Sequence, residues 1–146
     1  MRWLLALAVL AGCSKSADEY ISKSKRTEAE LMLNKIVKSV KVFAITNMKF
    51  PEGTAGPVPA IDCCQDPKRK CQPDPKQWQT APWQELDFFI EEPHFFRYSY
   101  TSDGKSFTAT AIGDLDCDTN MMTYKVSGTV DKDGPKTTLI ERTSED

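Results

Sequence analysis

Four cysteines, Cys63, Cys64, Cys71 and Cys117, constrain this chain more than any other feature, because three crowd one stretch and the fourth lies far downstream. An even set of cysteines in an exported chain implies disulfides. Of the three possible pairings, a Cys63–Cys64 bridge would strain the backbone between neighbours and ranks last. Either remaining choice ties the central loop both to itself and to the Cys117 region. Zinc is the competing explanation, but adjacent cysteines lack the usual ligand spacing. A fifth cysteine, Cys13, stands apart.

Cys13 closes what reads as a targeting signal. Arg2 supplies a positive start, and Trp3 to Leu10 is apolar and uncharged. That run is too short to span a bilayer, which takes roughly 20 apolar residues. It leads into Leu10-Ala11-Gly12-Cys13, a lipobox of the kind cleaved before the cysteine. The expectation is a signal peptide over 1–12, a lipid on the Cys13 thiol, a lipidated polar tether over 13–18 and one domain over 19–146. An ordinary secretory signal with a chance cysteine is the alternative. Ser14 after the cysteine points to the outer membrane, on its periplasmic or surface side. Each buried acyl methylene contributes roughly 0.8 kcal/mol, so two or three chains would anchor the protein to its membrane stably. About 130 of the 146 residues remain for the mature part, enough for one modest core. With 19 basic and 21 acidic residues the charge is nearly balanced, which argues against a general nucleic-acid binder.

Along the mature part, Thr27-Glu28-Ala29-Glu30 fits a helix capping box, although the helix could start earlier, near Asp18. Ala29, Met32, Leu33, Ile36, Val40 and Phe43 share one face at helical spacing, the pattern of a helix docked on a sheet. Leu31, Val42 and Ile45 form a weaker stripe on roughly the opposite side, either scattered surface residues or a contact with a partner. Pro51-Glu52-Gly53 ends this region. From there to about Ala81 a long loop rich in Pro, Gln and Lys needs its cysteines to pin it. Pro82-Trp83-Gln84-Glu85-Leu86 suits a short helix. Strands are expected at Phe95–Thr101, Ser106–Ile112, Met121–Val130 and Thr137–Arg142, separated by turns at Ser102-Asp103-Gly104 and Asp131–Pro135. The fold class is therefore α+β, an N-terminal amphipathic helix packed on an antiparallel sheet of about four strands.

Chemistry-bearing patterns are few. His94, the only histidine, sits between Pro93 and an aromatic strand with no evident nucleophile beside it, and is expected to be structural. No phosphate loop, metal-binding helix or nucleophile elbow is present, so no enzyme and no cofactor are expected. Asp114, Asp116 and Asp118 alternate as oxygen ligands for calcium do. Thr119 stands where an EF-hand needs Gly, and Lys125 where it needs Glu, so an acidic turn capping its own backbone is preferred to a calcium site. A ligand pocket among Trp78, Trp83 and the strand aromatics would suit an envelope binding lipoprotein of unrelated fold, although such aromatics are more often core.

The order of parts over about Thr27 to Val130 resembles the globular region of type IV pilins and pseudopilins. The matching features are the helix closing at Phe50-Pro51, then Trp83, Leu86 and Phe88, and the strand Phe96-Arg97-Tyr98-Ser99-Tyr100. Next comes Phe107 to Asp116, ending in Ala111-Ile112-Gly113-Asp114-Leu115-Asp116, which is similar to the A-x-G-D-L-D stretch common in such pilins. The resemblance implies a pilin-like domain that binds components of a type IV pilus or a type II secretion-like system. One departure is clear: a lipobox replaces the prepilin cleavage site and the long apolar helix that packs pilins into a fibre. A lipid-tethered pilin-like domain would instead serve in assembly, docking or display.

Overall fold

A computed structural model describes residues 13–144 of the chain. The expected signal peptide, 1–12, lies outside the described residues, and so does the side chain of Cys13. Helix α1 runs Cys13–Asn47, 35 residues without a Gly or Pro to interrupt it, and is about 52 Å long at 1.5 Å per residue. Positions 13–18, read above as a tether, are its first turns. The capping box is also corrected. Thr27 lies mid-helix, where its hydroxyl donates to the Lys23 carbonyl one turn back (3.1 Å), as threonines inside helices do. The helix stops where Met48 turns left-handed (φ 55°). Asn47 Nδ2 donates to the Phe43 carbonyl (2.9 Å), and Pro51 follows. Among the described residues no helix is long and apolar enough to cross a membrane.

Among the described residues six strands follow: β1 (Gly53–Val58), β2 (Arg97–Ser102), β3 (Ser106–Gly113), β4 (Met122–Asp131), β5 (Gly134–Thr137) and β6 (Glu141–Ser144). They form one antiparallel sheet in the order β1-β2-β3-β4, with β5 and β6 both pairing along the free edge of β4. The count of about four is therefore too low, for two physical reasons. β1 lies inside the expected loop, because its Gly53, Gly56 and Pro57 have poor strand propensity. An edge strand tolerates them, and the register slips between Ala55 and Val58. The expected last strand, Thr137–Arg142, is two edge strands broken at Thr138–Ile140. Thr138 there turns to β4, accepting the Ser127 N–H on its hydroxyl (3.1 Å).

Alternation along β3 and β4 buries Phe107, Ala109 and Ala111, then Met122, Tyr124 and Val126. Ala109 and Ala111 leave room for α1, which crosses β3, β4 and β5 with Ala29, Leu33, Ile36, Val40 and Ala44 fully buried. Met32 is half-buried against this core. Phe43, expected on the same face, is half-buried as well, and its neighbour Ala44 takes the fully buried place. At the β1 end a short helix α2 (Ala81–Glu85) closes the core with aromatics. Trp78 meets Trp83 and Phe88 edge-on, both at 5.4 Å between ring centroids. The architecture is thus α+β, a long N-terminal helix on one face of an antiparallel sheet.

Candidate docking surface and the loops around it

The outward side of α1 carries apolar residues that the sheet does not need. Leu31, Val42 and Ile45 are 61 %, 67 % and 70 % exposed, and Tyr20 is 76 % exposed. All four lie across the helix from the face that packs on the sheet. Exposed large apolar side chains are common singly, but here they share one line with Lys38. Lys38 and Lys41 enter no hydrogen bond or ion pair among the described residues, whereas Lys49 pairs with Glu52 (2.9 Å). This is the stripe the sequence offered as a partner surface.

Two bridges hold the loops that meet α1 near Lys25 and Glu28. Cys63 joins Cys71 and Cys64 joins Cys117, so the adjacent cysteines face different ways. The first closes a loop within the Pro-rich segment, and the second ties that segment to the turn after β3. Cys71 also exchanges two backbone hydrogen bonds with His94 (2.8 and 3.0 Å). His94 is buried there, its Nδ1 3.0 Å from the Glu92 carbonyl and its ring beside Tyr98. Burial pushes its pKa down. These loops border a groove of about 790 Å³ lined by Val58, Ile61, Asp62, Pro67, Pro73 and Gln77, among others. The carboxylates at its rim are engaged within the fold: Asp62 caps Cys64 and pairs with Arg97 of β2 (3.5 Å), Asp66 caps Lys68 and Asp74 caps Lys76. Trp78 and Trp83 do not line it. They are buried in the core, so the aromatic pocket considered above is filled by packing.

The Gly113-Asp114-Leu115-Asp116 stretch has a structural explanation. A side chain at Gly113 would stand 2.7 Å from the Phe95 carbonyl, so only glycine lets the two strands of chain approach there. Asp114 Oδ1 accepts the N–H of Cys117 (2.6 Å) and Asp118 (3.1 Å), and Oδ2 accepts that of Thr119 (2.8 Å). Leu115 is buried, and Lys25 of α1 donates to its carbonyl. One oxygen from each of Asp114, Asp116 and Asp118 lies within 4.8 Å of the others. Those of Asp114 serve as caps for backbone amides, the arrangement an acidic turn requires.

Glu28 is the residue the sequence did not single out. Its carboxylate reaches from α1 to the lead-in of β2, accepting the N–H of Phe95 (3.0 Å) and Phe96 (3.3 Å) and the Tyr98 hydroxyl (2.9 Å). Burial pushes its pKa up against the opposing pull of these donors and of Lys70. The same contact, after burial itself, raises the Tyr98 hydroxyl far above its ordinary range. Lys25 and Lys70 sit over the Phe95 ring, each 5.0 Å from its centroid. The place of Glu28 beside Ala29 in the pattern gave no cue, because a Glu on a helix normally faces water.

No family model, curated protein or solved structure matches this chain.

Proposed function

We propose that this chain is a lipid-anchored, pilin-like envelope protein, tethered through Cys13 to the outer membrane. It docks other proteins during assembly of a type IV pilus or a type II secretion-like system, and catalyses nothing. The observation that supports this most is α1 itself. One helix begins at the lipobox cysteine, enters the core with its inner face and keeps an apolar stripe of Leu31, Val42 and Ile45 outside. A membrane anchor and a docking surface on one rigid element would hold the partner at a fixed distance from the lipid. The helix-then-sheet order and the Gly113–Asp116 corner are the features shared with the pilin resemblance.

Labelled palmitate tests the anchor. The label should enter the wild-type protein, and Cys13→Ala should abolish it and release the domain from membranes. Label persisting in Cys13→Ala would refute the lipidation. A second reading, an envelope ligand-binding lipoprotein, is favoured by the groove between the Pro-rich loops, whose volume falls in the range of small-molecule sites.

A further inference from the structure

The outward face of α1 has a geometry and a charge that specify its partner further. Tyr20, Leu31 and Val42 recur every eleven residues, which is about three turns of an α-helix, so they and Ile45 fall within about 60° of arc. An eleven-residue spacing keeps such a line nearly parallel to the axis. This is the narrow seam of helix-on-helix packing rather than a broad apolar face. Over the C-terminal part of the seam the charge is one-sided: positions 31–49 hold Lys35, Lys38, Lys41 and Lys49 and no acidic residue, whereas Asp18, Glu19, Glu28 and Glu30 all lie nearer the start of the helix. Lys35 is engaged with the Phe89 carbonyl (3.3 Å) and Lys49 with Glu52, which leaves Lys38 and Lys41 beside the seam.

Building on the docking role above, we propose that the seam Tyr20–Leu31–Val42–Ile45 receives a partner α-helix whose own apolar stripe is edged by Asp and Glu. Charge disfavours a second copy of this chain in the pairings that bring Lys38 into register with itself. A parallel pair would set Lys38, which lies in the seam itself, against its own copy, and so would an antiparallel pair centred on Lys38. Like charges held in register are destabilising. Seam width decides against a membrane surface, since helices that lie in a bilayer interface present a wide face with Trp or Phe. Here Ser24 and Thr27 share the seam. An acidic helix satisfies both the apolar line and the unpaired lysines.

Two synthetic stapled helical peptides test this, each carrying leucines at the seam spacing, one edged with glutamates and the other with lysines. Binding to the full chain in neutral detergent is read by fluorescence anisotropy. The acidic peptide should bind at least about ten-fold tighter than the basic one, a difference of about 1.4 kcal/mol, and more weakly as salt is raised. Lys38→Glu combined with Lys41→Glu should reverse the preference, and Val42→Asp should abolish binding without lowering the melting temperature. Equal affinity for both peptides, or none for either, overturns the proposal. So does a concentration-dependent dimer that Val42→Asp dissolves. Val42-dependent flotation of the Cys13→Ala chain with phosphatidylglycerol–phosphatidylethanolamine vesicles would likewise overturn it, in favour of a lipid surface. Equal peptide affinities alongside Val42-dependent crosslinking to envelope proteins would remove the acidic-helix assignment and leave the docking role standing.

Discussion

Where α1 crosses β3 and β4, small and branched side chains interlock at regular spacing and no covalent link is needed. At the β1 end, residues 59–96 hold only three short helical turns, and two disulfides, an aromatic cluster and a carboxylate from α1 restrain them instead. The first region is stabilised by periodic apolar burial. The second is stabilised by a few specific links, each spanning a long stretch of chain. The difference predicts that damage to the first should be global, and damage to the second graded by which link is cut.

The largest effect should come from the first region. Ile36→Asp places a charge among fully buried apolar neighbours, and a buried charge without a partner costs several kcal/mol. The variant should show no cooperative thermal transition. A native-like melting curve would mean that the helix–sheet contact is not the centre of the fold.

The two bridges should rank next, and unequally. Cys64–Cys117 closes a separation of 53 residues and Cys63–Cys71 one of 8, for which chain entropy gives about 4 and about 2.5 kcal/mol. Replacing Cys64 and Cys117 together by alanine should therefore lower the urea midpoint more than replacing Cys63 and Cys71. Equal losses would show that loop closure is not the governing quantity.

Glu28 sharpens the comparison at the seam between the regions. Glu28→Ala strips acceptors from two backbone N–H groups and a tyrosine hydroxyl, each costing about 1–3 kcal/mol if left unpaired. Glu28→Gln keeps one acceptor and should lose less. Burial raises the folded-state pKa above its ordinary 4.5, so the native protein holds that proton more tightly than the unfolded chain. The carboxyl's contribution is then fullest below about pH 4.5 and declines as pH rises through the folded-state value. Measured against Glu28→Gln, wild-type stability should fall as pH is raised across that window. A rise would reverse the assigned direction.

The same division decides what was legible in the sequence. The face Ala29–Leu33–Ile36–Val40 and the alternation Phe107–Ala109–Ala111 could be read directly, because burial on a regular element leaves a period. Cysteine parity and strain between neighbours ranked one pairing last, but only the fold could choose between the other two. β1 was hidden because an edge strand can be made of glycine and proline once β2 supplies its partner. Glu28 was hidden because its partners lie about seventy positions away, a distance across which no local pattern extends. The stripe Leu31, Val42 and Ile45 was visible as a second period, and all three residues are exposed, as scattered surface residues and a partner contact would both require.

Val42 gives the most direct test of the central claim, that an outward seam on α1 docks other envelope proteins. Val42→Asp, introduced into the full chain in its own envelope, should shift stability by only about 0.5 kcal/mol or less, as exposed sites do. The same variant should lose crosslinks to pilus or secretion components that the wild-type protein forms. Unfolding as severe as that of Ile36→Asp, or crosslinks undiminished by the aspartate, would contradict the account.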